Sequence, residues 1–377
     1  MFFRDVIGQK TLVKRLIRQT SDNRISHAQL FLGTADTGAL PLAVAYARFI
    51  HCTGRQTDDA CGKCLSCIKY DKLGHPDIHH FFPSAPNDEF KKDVSSKLFT
   101  DKWRSLILEN PYFTYYQWLR KLGVENKQAI ISAEDCNDII RQLGRKSFES
   151  PYRIVLVYMI EKLFHSAAPK LLKVLEEPPP NTVFLLVSEN KDRILNTILS
   201  RTQIIKMPFP QEQEVLDALI HKYGLPADKA KQISFLSGGS ITEALRLSRQ
   251  DEEHMADFES FREWMRHCFR NDAAKILKWV EITSKGGREK QKSFLLYGLK
   301  VFRMCMLSNY KLHSLVRLEG EEHKFIQGFA PFVNHKNTLQ IVGAFNEAIT
   351  HLERNANPRI LFTDLSFDVV RLLHVKT

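Results

Sequence analysis

The sequence has no apolar stretch approaching the roughly 18 residues that a membrane span requires, and its first ten residues, MFFRDVIGQK, place Arg4 and Asp5 where a signal peptide needs an apolar run. Both absences point to a cytoplasmic protein. Cysteine is sparse, at 7 in 377 residues, too few for a disulfide framework. Acidic residues are outnumbered: 43 Asp and Glu face 54 Lys and Arg, a surplus of 11 positive charges. That surplus suits acidic partners such as nucleic acid or an acidic protein face, or a solvated, mildly basic surface. With 44% hydrophobic and 26% charged residues the chain reads as globular, and its length suggests two or three domains.

A further lack is chemical. GTADTGAL at 33–40 has the frame of a phosphate-binding P-loop, GxxxxGK[ST], in which glycines make the tight turn, a Lys reaches the β- and γ-phosphates and a hydroxyl meets Mg²⁺. Gly33 and Gly38 are present, but Ala39 stands in place of the Lys and Leu40 in place of the Ser or Thr. Asp36 puts a carboxylate into a loop whose amides otherwise attract anions. The context nevertheless fits: after a turn at 6–9 and an amphipathic helix carrying Leu12, Leu16 and Ile17, a short apolar strand at 28–32 feeds the loop, and PLAVAYARFIHC continues as a helix.

Four of the cysteines cluster directly after that helix. Cys52, Cys61, Cys64 and Cys67 form CxxxxxxxxCxxCxxC, a spacing suited to tetrahedral thiolate coordination of Zn²⁺ in a closed and therefore structural site. A redox CxxC would not need four. His75, His79 and His80 are better placed at the start and along the faces of a strand than around a metal. The stretch 85–128 is aromatic-rich, with Trp103, Tyr112, Phe113, Tyr115, Tyr116 and Trp118 among Lys102, Arg104, Arg120 and Lys121. Those rings either stack on single-stranded bases or form a helical excursion packed on its own domain, and packing is the favoured account.

ISAEDCNDIIRQL opens a helix with Ser132 three residues before Asp135. RIVLVYMI at 153–160 is a continuous apolar run of the kind found inside a parallel sheet. In a working P-loop ATPase such a strand ends in the acid that holds Mg²⁺; here it ends in Tyr158 and Met159, and Glu161, past the strand end, is expected to face solvent. A helix stopped by prolines at 178–180, a strand TVFLLVSEN, a helix DRILNTILSRT and a strand QIIKM follow. Alternation from residue 28 to about 207 predicts an α/β fold with a doubly wound parallel sheet. Residues 210–250 read as a small helical unit interrupted at 224–226 and 237–240, and 251–377 as helices only, with a loop at 284–287.

Taken together, FRDVIGQ with RISHAQLFLG, the P-loop frame, the cysteine cluster followed by HPD, LLKVLEEPP, ILSRT, GGSITEALRL and NPRILFTDL resemble the clamp-loader branch of the AAA+ proteins, within it the delta-prime family of bacterial DNA polymerase III. The resemblance covers nearly the whole chain. It implies an AAA+ core at 1–209, a helical lid at 210–250 and an all-α collar at 251–377 for oligomerisation.

In the ATP-hydrolysing gamma/tau relatives the pattern supplies Lys and Thr in the loop, an acidic pair after the Mg²⁺ strand, a polar sensor after the next strand and an Arg in the lid. At those places this chain has Ala39 and Leu40, Tyr158 and Met159, Ser188 or Glu189, and Thr242. The resemblance therefore implies a subunit that does not hydrolyse ATP. Ser200 and Arg201 keep the family's SRC motif in part, with Thr202 for its Cys, and imply an arginine finger offered to a neighbour's nucleotide. As a bare tripeptide it also reads as a surface Arg paired with an acid at a helix end. The implied partners are gamma/tau and delta subunits in a heteropentamer, and through it the sliding clamp and primer-template DNA; the implied cofactor is structural zinc. The excursion at 85–128 is longer than the family generally has. Two rival readings are an active gamma/tau-like ATPase and a stand-alone single-stranded DNA binder.

Overall fold

The computed structural model describes residues 1–125, 127–248, 252–312 and 320–375. They divide into two compact units, one formed by Met1–Val124 with Gln128–Leu245, the other by Glu125–Lys127 with Arg246–Thr377.

The first unit is built on five parallel strands, β1 (Ala28–Leu32), β2 (Ile78–Phe81), β3 (Arg153–Tyr158), β4 (Thr182–Ser188) and β5 (Gln203–Lys206), in the order β2-β3-β4-β1-β5. The expected doubly wound sheet is present, and period-two alternation explains how it is covered. Along β3, Ile154, Leu156 and Tyr158 enter one core, while Val155 and Val157 enter another. On β4, Val183, Leu185 and Val187 go to the first core and Phe184 and Leu186 to the second. The first core also takes the helix Ala39–His51, buried at every position, as expected of a helix apolar all round. The second takes the helices Ala133–Leu143 and Ala168–Glu176 through Ile139, Leu143, Leu171 and Leu175. Truncating one of these leucines to Ala would cost about 2–5 kcal/mol. The start signal at Ser132 is realised as a capping box, its hydroxyl and the Asp135 carboxylate exchanging bonds.

The excursion packs on its own unit. Its helices Thr100–Glu109 and Tyr115–Leu122 bring Trp103, Phe113, Tyr115 and Trp118 into the first core, where Trp103 lies 5.3 Å from both Trp118 and Tyr158. Those rings are not free to stack on bases. Three further helices, Glu212–His221, Ala227–Ser237 and Ile241–Ser248, complete this unit.

The second unit is helical among its described residues, comprising Glu252–Phe269, Ala273–Thr283, Arg288–Asn309, Gly320–Phe329, Thr338–Glu353 and Pro358–Leu373. Its core centres on Trp264, stacked on Trp279 at 4.5 Å. Gly298 is needed because a Cβ there would meet Phe345 at 2.6 Å. The expected boundary at 250/251 lies outside the described residues. Among those described, no helix is long and apolar enough to cross a membrane.

Candidate functional site

Gly33, Ala39, Tyr158 and Ser188 meet at the carboxyl ends of β1, β3 and β4, where open α/β sheets bind ligands. The Gly33 N–H donates to the Ser188 carbonyl at 2.9 Å. A Cβ on Gly33 would fall 2.3 Å from the Thr37 hydroxyl, which explains the first glycine. Gly38 has φ +74°, and the Tyr112 ring lies against it, 3.1 Å from where a Cβ would be. Tyr112 is held by its hydroxyl, which accepts from the Ile7 N–H at 2.7 Å. Gln9, itself left-handed at φ 65°, donates its amide to the Thr37 carbonyl at 2.9 Å and the Pro208 carbonyl at 2.6 Å.

The chemical positions are filled by packing. Ala39 and Leu40 belong to the first core. Tyr158 is wedged between Trp103 and Phe113, and burial pushes its phenol well above the usual range. The one anion of the loop is spent internally: Asp36 accepts from the Ser240 hydroxyl at 2.6 Å, from the Thr242 N–H at 3.1 Å and from the Thr242 hydroxyl. Sequence reasoning noticed Asp36 and Thr242 separately but not that they pair.

Glu161 corrects an expectation. It does not face solvent: Met159 adopts φ 55°, the chain turns back, and the Glu161 carboxylate accepts the Glu189 N–H at 2.9 Å. Burial pushes this carboxyl up, against hydrogen bonds from Glu189 and Ser188. An acid is thus present beside the strand ends, engaged with the sensor position.

The four cysteine sulfurs all lie within 4.8 Å of one another. Cys52 and Cys61 sulfurs are 3.5 Å apart and Cys52 and Cys64 sulfurs 3.9 Å. Backbone N–H groups point at them: Cys61 at Cys52 sulfur, Lys63 and Cys64 at Cys61 sulfur, and Cys67 at Cys64 sulfur, at 3.3–3.5 Å. Donors aimed at sulfur are the outer support a thiolate-bound metal uses, so the donor set fits a tetrahedral ion. The histidines stay apart from it. His75 bonds Ser66 and Glu149 and stacks on His51 at 4.3 Å, and His79 and His80 lie on β2. A functional-looking residue that sequence reasoning passed over, Asp77 of HPD, accepts backbone N–H groups from Phe148, Glu149 and Ser150 and is a structural tie.

Arg201 follows the short helix Asn196–Leu199 and lines an open groove with His27, Leu175, Glu176, Ser200 and Thr202. Its guanidinium pairs with Glu176 and donates to the Thr197 carbonyl at 2.9 Å and the Ser200 hydroxyl at 3.1 Å. The side chain remains one-third exposed, at 33%.

A family model described as DNA polymerase III, delta subunit, matches residues 8–211, the stretch holding the sheet, the loop and the cysteines. The chain belongs to this family. Subunit gamma of DNA polymerase III from Buchnera aphidicola subsp. Acyrthosiphon pisum is 26% identical over 65% of the chain and 57% of that protein. Subunit delta' from Bacillus subtilis is 25% identical over 73% and 64%, and subunit delta' from Haemophilus influenzae 29% over 56% of each. The chain therefore spans between 56% and 64% of the length of these relatives. The family is a DNA polymerase III clamp-loader family, and the α/β sheet with its helical C-terminal part is the AAA+ arrangement expected.

Proposed function

We propose that this chain is a non-hydrolysing, delta-prime-type subunit of a DNA polymerase III clamp loader. The observation that carries the reading is the Asp36 carboxylate. It sits in the loop where phosphate would bind and is already bonded to Ser240 and Thr242. A phosphate entering there would meet an anion instead of free N–H groups, and the buried Ala39 and Leu40 offer it neither charge nor metal ligand. Burial of Tyr158 at the Mg²⁺ position supports the same conclusion.

On this reading residues 1–209 are the AAA+ core, 210–250 the lid and 251–377 the collar that joins the assembly. Cys52, Cys61, Cys64 and Cys67 hold a structural Zn²⁺, whose chemistry is to fix the fold of their loop. Ser200 and Arg201 form the arginine finger: Arg201 gives its fork to the nucleotide of an adjacent gamma/tau subunit, where a fixed positive charge stabilises the transferring phosphoryl group. Partners are gamma/tau and delta in a cytoplasmic heteropentamer, acting on the sliding clamp and primer-template DNA.

The test is titration calorimetry of the isolated chain with Mg-ATP, followed by co-purification with gamma/tau and delta subunits and a clamp-loading assay. No heat of binding, a stable complex and loading that requires this chain are expected. Tight Mg-ATP binding with turnover would replace the proposal by a gamma/tau-like ATPase, the reading that likeness to gamma subunits favours. Failure to assemble would remove it.

A further inference from the structure

Arg48 lies on the helix Ala39–His51, one turn before Cys52, and its side chain is 0% exposed. One guanidinium nitrogen donates to Asp71 at 2.8 Å, but that carboxylate is 55% exposed and bathed in solvent. The guanidinium also lies flat on the Phe2 ring, 3.6 Å from its centroid. Its Nε and Nη2 atoms are buried and find no acceptor at hydrogen-bond geometry among the described residues. A buried, permanently charged group with unused donors is costly unless negative charge stands near it, and a half-solvated ion pair compensates weakly.

The group next to it is the cysteine cluster. Burial pushes the Cys67 thiol up, and the Arg48 guanidinium is the foremost influence pulling the other way, so the two side chains are neighbours. Four thiolates around one divalent ion leave a formal charge of two minus in a partly buried site. The backbone N–H groups described above address Cys52, Cys61 and Cys64, whereas the donor facing Cys67 is Arg48.

We infer that Arg48 is the buried counter-cation of the cysteine-held metal, placed by the helix that carries the degenerate loop so that its free N–H groups face the Cys67 sulfur. The inference rests on the zinc reading proposed above. It assigns Arg48 a positioning role: it touches no substrate, and it acts by making a doubly negative metal–thiolate centre affordable inside the fold. A purely structural Arg48, tying the helix to Asp71, would leave metal affinity alone.

The experiment uses the full chain under reducing conditions, as wild type, Arg48→Met, Arg48→Gln and Asp71→Asn, with far-UV circular dichroism to verify folding and a chromophoric chelator competing for Zn²⁺. Loss of the charge is expected to weaken zinc binding about ten- to hundredfold in both Arg48 variants. Asp71→Asn, which leaves the cation in place, should stay within about threefold of wild type. If Arg48→Met does not fold, Arg48→Gln decides. Wild-type affinity in a folded Arg48 variant overturns the inference, as does an Asp71→Asn loss equal to that of Arg48→Met. Wild-type protein that takes up no zinc overturns the cysteine reading itself and the inference with it, so the two failures are told apart.

Discussion

Asp36 and Thr242 are 206 positions apart in the chain, and one Asp36 oxygen accepts both the backbone N–H and the hydroxyl of Thr242. The Ser240 hydroxyl donates to the same oxygen. The helix Ile241–Ser248 thus has its N-terminus capped by a carboxylate from a distant loop, satisfying orphan donors and opposing the positive end of the helix dipole. In a working loop the N–H groups of the loop hold an anion supplied from outside. Here the loop supplies the anion and the lid helix supplies the donors.

Asp36→Ala should therefore lower stability by about 1–3 kcal/mol, the range for a lost cap carrying a charge-assisted bond. Urea unfolding would register this as a lower midpoint. Mg-ATP binding should not appear in the variant, because Ala39 and Leu40 remain packed in the core. An unchanged midpoint would mean that the carboxylate does not cap the helix in solution.

Much of this was readable from local signals. The run 153–160 identified β3 because alternate residues of a central strand both face apolar layers, and its last strand residue, Tyr158, is where the pattern placed the missing acid. Four cysteines in one short loop identified themselves. What escaped depends on contacts far apart in the chain or on backbone angles that residue type does not announce. Asp36 could not be matched to Thr242 from spacing, and the turn that buries Glu161 is made by a Met at φ 55°, a conformation usually signalled by Gly or Asn. Trp103 and Trp118 carried two meanings until the core claimed them.

Removal of the metal should loosen the cysteine loop without unfolding the sheet, since the second core contains none of these cysteines. Metal analysis of protein purified under reducing conditions should give one zinc per chain. Cys64→Ser should abolish tight binding and cost several kcal/mol of stability, less than the about 10 kcal/mol or more of small domains that fold only with zinc. Thermal melts with and without chelator would test it, and identical melts would contradict a structural metal.

His80 makes a pH-dependent contribution of known sign. Burial, aided by Arg104 and His79, pushes its imidazole down to about 3, and neither ring nitrogen has a hydrogen-bond partner. The unfolded chain takes up a proton near about 6.5 that the folded chain refuses. Stability is thus fully present above that value and falls as pH drops from there toward 3, by up to about 1.4 kcal/mol per pH unit. His80→Leu should flatten the curve of stability against pH between 6.5 and 4, measured by urea midpoints. An equal slope in the variant would assign the loss to other groups.

Arg201 is engaged within its own chain, and the strength of that engagement decides whether it can serve another. Its pairing with Glu176 is half-solvated, with 33% and 48% of the two side chains exposed, and such pairs are worth about 1 kcal/mol or less. A triphosphate presented by a neighbour offers more charge and a bidentate geometry that the guanidinium fork matches, so Arg201 can leave Glu176 at little cost. Arg201→Ala should shift the stability of the isolated chain by no more than about 1 kcal/mol and leave assembly intact, while lowering ATP turnover of the reconstituted complex by about tenfold to a thousandfold. Arg201→Lys should not restore turnover, because a point charge cannot replace the fork. Glu176→Gln, which frees the guanidinium, should leave turnover at the wild-type level or raise it. Unchanged turnover in Arg201→Ala would reduce this residue to a surface ion pair, and loss of assembly would make it an interface contact in place of a finger.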